Sequence, residues 1–191
     1  MKSRLKIDKS NFILGYVGSI GTWYMLPEML DYFKQLKEKN AAAKFVFVTG
    51  EKPERIYQIV RQKNIDEKDV IITSCLHRDV PLNISIFDLS IFFIRPTFSK
   101  KASSPTKQGE IMAMGIPLVC NSGVGDTDYI VKKYKAGSVV TNFTNEMYQR
   151  KINEPDPTDI SRMMEGANEF YSLESGIAKY LEVYTKIYGD E

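Results

Sequence analysis

Short apolar runs alternate with helix-like segments along almost the whole of this 191-residue chain. The runs are rich in branched and aromatic side chains, which is typical of strands buried on both faces of a parallel sheet. This alternation predicts an α/β fold in which a doubly wound parallel sheet carries helices on both faces. The length suits one domain with a sizeable core, so we expect residues 1–191 to form a single domain.

Six of these runs are predicted strands, and most of the segments between them are predicted helices. The strands are at residues 12–17, 44–49, 69–74, 89–95, 117–121 and 137–140. The helices are at residues 25–39, 53–63, 80–85, 126–134, 157–170 and 174–188, with one more that begins near Ser104. Residues 145–157, which contain Pro155 and Pro157, are predicted to form a surface loop.

The sequence SSPTKQGE, which begins at Ser103, is typical of a loop that turns into a helix. Ser104 can cap that helix, and Pro105 suits its first position. The free backbone N–H groups of a helix start and the positive end of the helix dipole attract an anion. Lys107 adds a full positive charge near the same end. The motif therefore predicts a phosphate site.

Thr106, Lys107 and Glu110 are spaced so that their side chains share one face of this helix. Such a face can hold both halves of a nucleotide, with phosphate at the helix start and ribose hydroxyls on the Glu110 carboxylate. The alternative is an ordinary helix start on which Lys107 and Glu110 form a surface ion pair of little energetic weight. The motif alone is compatible with both interpretations.

The predicted strand before this motif favours the ligand-binding interpretation. Its apolar run LSIFFI is followed by Arg95 and Pro96, and the proline ends the strand. The loop at residues 97–103 therefore leaves the carboxyl end of an internal parallel strand. In open α/β sheets, ligands bind at that edge.

A glycine-containing turn, GYVGSIGTWY, follows the first strand. Gly18 and Gly21 allow the backbone to approach a ligand closely where the next helix begins. The spacing differs from the GxGxxG pattern of dinucleotide sites, and Glu51 lies too far along the chain to be the acid that accompanies it. A tight strand-to-helix turn explains the glycines equally well. Trp23 and Tyr24 can stack on a ligand, although aromatic residues at a turn more often pack on their own domain.

Charge and composition exclude several classes of protein. The formal net charge of +2 is too small to indicate a nucleic-acid partner. No apolar run reaches membrane-spanning length and the first residues lack the core of a signal peptide, so we expect a cytoplasmic protein without a transmembrane segment. Cys75 and Cys120 lack metal-ligand spacing and are expected to be buried, reduced thiols. The one histidine, His77, excludes a multi-histidine metal site, and a packed or polar loop position is favoured for it.

Several motifs, taken in order, resemble one family. The glycine turn is followed by KFVFVTG at 44–50, HRDVP at 77–81, SPTKQGE at 104–110 and AMGIPLV at 113–119. This order resembles the carboxyl-terminal, donor-binding domain of glycosyltransferases of the GT-B fold, in the large retaining group 1 (family 4) class. The resemblance covers roughly residues 12–137, and its most specific part is the PTKxxE block with the MGxP that follows.

This resemblance implies a Rossmann-like domain that binds a nucleotide-diphosphate sugar as donor substrate, with no cofactor or metal. In the family, the glutamate matching Glu110 holds the ribose, and the helix start matching residues 104–107 holds the diphosphate. The loop matching residues 77–80 lies against the base, and the glycine turn closes over the phosphates. No catalytic residue is assigned. The implied donor-binding residues are Gly18, Gly21, Thr22, Arg78, Val80, Ser103, Ser104, Thr106, Lys107 and Glu110.

The chain departs from the family pattern in three respects. Many members have a second glutamate, which contacts the donor sugar, where this chain has Ala102. Many also have an arginine and a lysine after the first strand, which residues 19–24 lack; Lys107, Lys100 or Lys101 can compensate. The acceptor domain that normally precedes this one in a GT-B enzyme is not recognisable in the sequence.

The leading interpretation is the donor-binding half of a glycosyltransferase, which transfers a glycosyl group to an acceptor hydroxyl when it is joined to an acceptor domain. We expect the 191-residue chain to bind donor weakly and to transfer no sugar alone. Two alternatives stay open: half of a sugar-nucleotide epimerase of the same two-domain build, and a non-catalytic nucleotide-binding or assembly domain. Ala102 and the missing basic pair favour the second alternative.

The predicted last helix, residues 174–188, has an apolar face. Packing of this face on the domain's own sheet is the favoured interpretation. Exposure of part of the face, as an interaction surface, is the alternative. The face comprises Ile177, Tyr180, Leu181, Tyr184, Ile187 and Tyr188.

Overall fold

A computed structural model of the chain, which describes residues 1–189, has the predicted α/β fold. The six strands of this part of the chain coincide with the predicted runs, although most are shorter. They form one parallel sheet with the order β3-β2-β1-β4-β5-β6. The strands are β1 (Ile13–Val17), β2 (Lys44–Val48), β3 (Val70–Thr73), β4 (Leu89–Phe92), β5 (Leu118–Asn121) and β6 (Gly137–Val140).

The helices connect these strands as the alternation predicts, and two of them follow one another at the end of the chain. Two short 3-10 helices, His77–Asp79 and Phe98–Ala102, precede α3 and α4. The α-helices are α1 (Leu26–Lys39), α2 (Pro53–Gln62), α3 (Val80–Ile84), α4 (Thr106–Ala113), α5 (Thr127–Lys133), α6 (Asn145–Asn153), α7 (Ile160–Tyr171) and α8 (Leu173–Tyr188).

The predicted surface loop at residues 145–157 is wrong, because its first part is the helix α6. The Thr144 hydroxyl accepts a hydrogen bond from the N–H of Met147 at 3.3 Å and so caps the helix. Tyr148 is buried and its ring lies 5.5 Å from that of Tyr32 on α1. The two prolines that favoured a loop lie beyond the helix end. A mostly polar helix thus forms because one aromatic side chain packs on α1.

The core lies around β1, all five of whose residues are buried. Its central residue, Gly15, lies against Phe87, and a Cβ at this position would be only 2.0 Å from the Phe87 ring. On β2, Phe45 and Phe47 pack with ring centroids 4.1 Å apart. Burying an aromatic side chain of this size contributes about 1.5–3 kcal/mol to the free energy of unfolding.

The strand order places β1 beside β4, and the sheet reverses its direction of growth at this pair. Chain crossovers between parallel strands are right-handed, so the helices after β1 and after β4 lie on opposite faces of the sheet. A crevice forms between the two loops that leave the carboxyl ends of these strands. Open α/β sheets bind ligands at such a point. The glycine turn after β1 and the motif after β4 therefore meet at one place, as expected.

The two cysteines differ in how deeply they are buried. Cys120 on β5 is fully buried, and burial raises the pKa of its thiol above the ordinary value. Cys75 is only partly buried, so the prediction of a buried thiol is wrong there. It follows β3 at the end of the sheet, where the chain turns toward the surface. Both cysteines are free thiols.

The last helix, α8, does not pack on the sheet, and the favoured interpretation of its apolar face is wrong. None of its residues is buried, and the six apolar side chains of the face are between 50% and 73% exposed. The helix contacts α7, which precedes it. The apolar face of α8 is therefore an exposed surface, as the alternative interpretation expected. Within residues 1–189, no helix combines the length and the apolar character that crossing a bilayer requires.

Candidate functional site

The chain segment after the glycine turn runs alongside the end of β4. Tyr24 forms an isolated antiparallel bridge with Ile94. The N–H of Arg95 donates to the carbonyl of Trp23 at 2.9 Å. The buried amide of Asn121 accepts from the N–H of Ile94 at 2.8 Å and donates to its carbonyl at 2.9 Å. These bonds fix Trp23 and Tyr24 at the edge of the sheet, directly beside the loop that leads to α4.

The start of α4 lies one residue later than the sequence predicts. Pro105 has an extended backbone and precedes the helix, which begins at Thr106. Neither Ser104 nor Pro105 caps it with a side chain, so the predicted Ser104 cap is wrong. The N–H of Gln108 donates to the Pro105 carbonyl at 2.9 Å and begins the helical pattern. The backbone N–H groups before Gln108 have no intrahelical acceptor, as at any helix start.

Lys107 turns inward rather than toward Glu110. The residue is 8% exposed, and its Nζ donates to the Tyr16 hydroxyl at 2.9 Å. The ammonium lies 4.2 Å from the ring centroid of Tyr16 and 3.7 Å from that of Tyr24. The predicted surface ion pair with Glu110 does not form, and the two side chains do not share one face.

Burial dominates the electrostatics of Lys107. It lowers the pKa of the ammonium from its ordinary value to about 7, and the charge of Glu110 opposes this only in part. Burial also raises the pKa of the Tyr16 hydroxyl, which donates to the Ser19 carbonyl at 2.6 Å. Lys107 therefore sits on a neutral phenol and two aromatic faces, with no carboxylate of residues 1–189 within ion-pair distance.

The backbone of Gly18 covers the ammonium group of Lys107. Its φ of 105° is in the region that favours glycine, and a Cβ would lie 3.1 Å from Lys107 Nζ. Gly21 has no such requirement, since its φ is not positive and the nearest atom to a Cβ would be 3.7 Å away. The Ser19 hydroxyl donates to Glu51 at 3.0 Å, and this bond, more than the Arg55 charge, lowers the pKa of Glu51.

Glu110 lies one turn into α4, beside His77. The Nε2 of His77 is 3.5 Å from Oε1 of Glu110, and their side chains are 92% and 39% exposed. His77 is thus an exposed polar residue, as favoured from the sequence, but it belongs to the short 3-10 helix His77–Asp79 rather than to a loop. The two residues line a slot of about 300 Å³. Its walls are His77, Arg78, Val80, Pro81, Ile84, Glu110, Ala113 and Met114.

A second cavity, of about 290 Å³, opens on the other side of the α4 start. Lys100 lies over the Trp23 ring there, with Nζ 4.4 Å from the ring centroid. We call it the Trp23 cavity. It is lined by Trp23, Tyr24, Ile94, Lys100, Ser103, Ser104, Pro105 and Thr106.

The structure thus brings most of the predicted residues to one crevice. Arg78, Val80 and Glu110 line the slot, while Ser103, Ser104 and Thr106 line the Trp23 cavity. Lys107 follows Thr106 on α4, and its ammonium lies beneath Gly18 of the glycine turn. Gly21 and Thr22 lie further out on that turn, where Thr22 is exposed.

Two residues of this edge were missed in the sequence. Tyr16 holds Lys107, and Asn121 holds Ile94. Tyr16 is the penultimate residue of β1 and Asn121 is the last residue of β5. A polar group in an otherwise apolar strand must find a hydrogen-bond partner when it is buried. That position is the sequence signal that identifies them.

A larger cavity, of about 650 Å³, lies at the opposite, amino-terminal edge of the sheet. Phe12, Leu118 and Gly137 line it where β1, β5 and β6 begin. Lys151 and Asp156, 2.6 Å apart, close one side. Parallel sheets do not usually bind ligands at this edge. Among residues 1–189, no group of His, Cys, Asp or Glu side chains is placed to hold a metal ion.

The fold defines the class: a doubly wound, Rossmann-like α/β domain whose crevice lies where the sheet reverses direction. The family described as glycosyl transferases group 1 matches residues 1–155. The chain belongs to this family, which confirms the resemblance found in the sequence. No curated protein matches the chain.

Solved glycosyltransferases share the fold. A glycosyltransferase from Rickettsia africae is 15% identical, with a TM-score of 0.73, and the match covers 100% of this chain and 51% of that one. AviGT4, involved in avilamycin A biosynthesis, is 16% identical, with a TM-score of 0.66 and coverages of 97% and 53%. The pneumococcal O-GlcNAc transferase GtfA, solved with UDP and GlcNAc, is 11% identical, with a TM-score of 0.69 and coverages of 94% and 36%. The chain therefore spans about half or less of each of these proteins.

Proposed function

We propose that this chain is the donor-binding part of a glycosyltransferase and that its crevice binds a nucleoside-diphosphate sugar. The base enters the slot beside His77, and the ribose hydroxyls bind the Glu110 carboxylate. The diphosphate lies between the glycine turn and the start of α4. Membership of the group 1 family and the position of the crevice both support this assignment.

One observation carries the proposal: a buried lysine without a counter-ion, placed under a glycine turn. An ammonium in an apolar site is costly unless an anion accompanies it. Lys107 makes one hydrogen bond, to Tyr16, although an ammonium has three donors. A diphosphate at Gly18 would supply the missing charge, and the absence of a Cβ allows it to approach. The N–H groups at the α4 start add a favourable dipole.

The slot suits a planar base for a different reason. Val80, Ile84 and Met114 give it apolar walls, while Glu110 stands at its mouth. The carboxylate accepts two hydroxyl hydrogen bonds, which is the pattern that a ribose offers. His77 contacts the same carboxylate, so the ribose replaces or shares that contact.

In this proposal the chain assists transfer of the sugar by binding the diphosphate that leaves. The bond between the anomeric carbon and the diphosphate breaks as an acceptor hydroxyl forms the new bond, and negative charge grows on the departing phosphate. Lys107 and the α4 N–H groups are fixed at that position before the reaction, which is how preorganised donors lower a barrier. The acceptor, and the domain that binds it, belong to the part of a GT-B enzyme that this chain does not resemble.

Calorimetric titration with UDP, GDP, ADP and dTDP tests the proposal. One of the four nucleotides is expected to bind. Glu110→Ala should make its binding free energy less favourable by about 1.5–3 kcal/mol, the range for a hydrogen bond to a charged group. Glu54→Ala, on the exposed first turn of α2, is the matched control and should leave the affinity unchanged. Equal affinities of wild type and Glu110→Ala would remove Glu110 from the site, and no binding by any of the four would overturn the assignment.

A further inference from the structure

We propose that the Trp23 cavity is the subsite for the donor's sugar and that it selects a sugar with a carboxylate, of the hexuronate class. This inference rests on the proposed function, because it takes the diphosphate to lie at the α4 start. It goes further in naming the chemistry of the group that is transferred.

The position of the cavity identifies what it holds. Glu110 lines the slot and Thr106 lines the Trp23 cavity, and these residues are one helical turn apart on α4. Both residues also line a third cavity, of about 470 Å³, on the α7 side of the helix. We infer that the ligand crosses the helix start from the slot and enters the Trp23 cavity, because that path passes the N–H groups that would hold the diphosphate. If the base and ribose occupy the slot side, the group on the far phosphate occupies the other. The two cavities have similar volumes, about 300 and 290 Å³, so each suits a single ring with its substituents.

The charge of the cavity identifies the substituent. Lys100 is the one charged residue among its walls, and no carboxylate of residues 1–189 forms an ion pair with it. Two carboxylates at this edge of the sheet already have partners. Glu51 accepts from Ser19 and Arg55, and Glu110 contacts His77. An anionic sugar would give Lys100 a charge-assisted hydrogen bond, which a neutral sugar cannot.

The backbone holds this lysine in place. The N–H of Gly125 donates to the Lys100 carbonyl at 2.9 Å, and the N–H of Lys100 donates to Thr97 at 3.0 Å. A Cβ on Gly125 would lie 1.8 Å from the Ser103 carbonyl, so the loop after β5 packs tightly against the loop after β4. The ammonium rests on the Trp23 ring, whose own backbone bonds to Arg95. Lys100 is therefore held beside the cavity.

The other walls suit a pyranose. Trp23 is 43% exposed and offers an aromatic surface to the C–H groups of a sugar ring. Ser103, Ser104 and Thr106 are hydroxyl-bearing residues that line the same space. Each can donate to and accept from the hydroxyls of a sugar. A carboxylate on C6 could reach Lys100 while the ring hydroxyls face these side chains.

Matched pairs of donors test this inference. The pairs carry whichever of the four nucleoside diphosphates binds most tightly. Its glucose and glucuronate, galactose and galacturonate, and mannose and mannuronate derivatives differ only in having a hydroxymethyl group or a carboxylate at C5. For at least one pair we expect the uronate to bind roughly tenfold more tightly, the effect of one charge-assisted hydrogen bond. The preference should decrease as salt concentration rises, because exposed charges are screened.

Lys100→Gln should abolish the preference, because it weakens binding of the uronate far more than binding of its neutral partner. Lys101→Gln removes the neighbouring charge, which lies outside the cavity walls, and should retain the preference. Equal affinities within every pair, or a preference that survives Lys100→Gln, would overturn the inference while leaving the proposed function intact. If no nucleotide or donor binds, the proposed function fails and this inference fails with it.

Discussion

The buried lysine gives a prediction about pH that follows directly from its surroundings. Its pKa of about 7 means that Lys107 is charged below neutral pH and largely neutral above it. A diphosphate beside the ammonium favours the charged form and raises the pKa again. Donor binding should therefore take up a proton above pH 7 and none well below it.

The sign and size of the effect can be worked out. The affinity should be constant below about pH 6.5 and fall by up to tenfold per pH unit above pH 7, since one proton is then linked to binding. Tyr16 and Tyr24 also face the ammonium, but burial raises both pKa values, so they stay neutral in this range. Glu51 stays ionised because its pKa is lowered. Lys107 is therefore the group beneath the glycine turn that titrates here.

The free energy of unfolding of the unliganded chain should rise with pH, whereas the affinity for the donor falls. The unfolded chain holds the lysine proton up to its ordinary pKa of 10.5, whereas the folded chain releases it near pH 7. The unfolded state binds more protons between these values, so this residue makes the free energy of unfolding rise with pH across that window. At 1.36 kcal/mol per pKa unit, burying the charged form costs on the order of 5 kcal/mol below pH 7. Lys107→Met should recover part of this at pH 6 and almost none at pH 10.

Calorimetry of a nucleotide sugar is the assay, because its diphosphate has no ionisation near neutrality. At pH 8, titrations in Tris and in HEPES should differ in apparent enthalpy by the amount that one absorbed proton predicts. Lys107→Arg keeps its charge at every accessible pH and should remove the difference. His77→Gln should keep it, although His77 contacts Glu110 in the slot. Identical enthalpies in the two buffers for the wild type would refute the reasoning.

Two further predictions concern the glycine turn and the last helix. Gly18→Ala should weaken diphosphate binding at least tenfold and destabilise the fold by about 1 kcal/mol, because φ is 105° at this position. Calorimetry measures the first effect and urea unfolding the second. Gly21→Ala, measured in the same two ways, should change neither the affinity nor the stability. Leu181→Ser with Tyr184→Ser should change the free energy of unfolding by less than about 0.5 kcal/mol, because no residue of α8 is buried. A loss of more than 2 kcal/mol on urea unfolding would show that α8 packs on the domain.

Much of the fold could be predicted because its strands are buried on both faces. Such strands are apolar throughout, and β1, β2 and β4 therefore stand out from the helices around them. The helix α6 was missed for the converse reason. Its surface is mostly polar, and its formation depends on Tyr148 packing against Tyr32, a contact between residues far apart in the sequence.

The composition of the site could be predicted better than its geometry. Motif order predicts that Ser104, Lys107 and Glu110 follow β4, and the structure places all three beyond the carboxyl end of that strand. The direction of Lys107 could not be read from helical spacing, because the phenol of Tyr16 and the ring of Tyr24 draw the ammonium inward. The later start of α4 also depends on tertiary structure, since Pro105 stays extended where it lines the Trp23 cavity.

The amphipathic pattern of α8 could not predict whether its apolar face is buried or exposed. Six apolar residues at helical spacing show that a face exists, but not what covers it. In the structure this face lies in solvent beside α7.

The central claim is that nucleotide donors bind at the carboxyl edge of the sheet, and amide chemical-shift mapping tests it most directly. Titration of the ¹⁵N-labelled chain with the nucleoside diphosphate that binds most tightly should shift the amides of Gly18, Arg78 and Lys107. The amides around the larger cavity at the opposite edge, such as those of Leu118 and Ile152, should stay unchanged. Shifts confined to that opposite edge, with the glycine turn and the α4 start unaffected, would contradict the account.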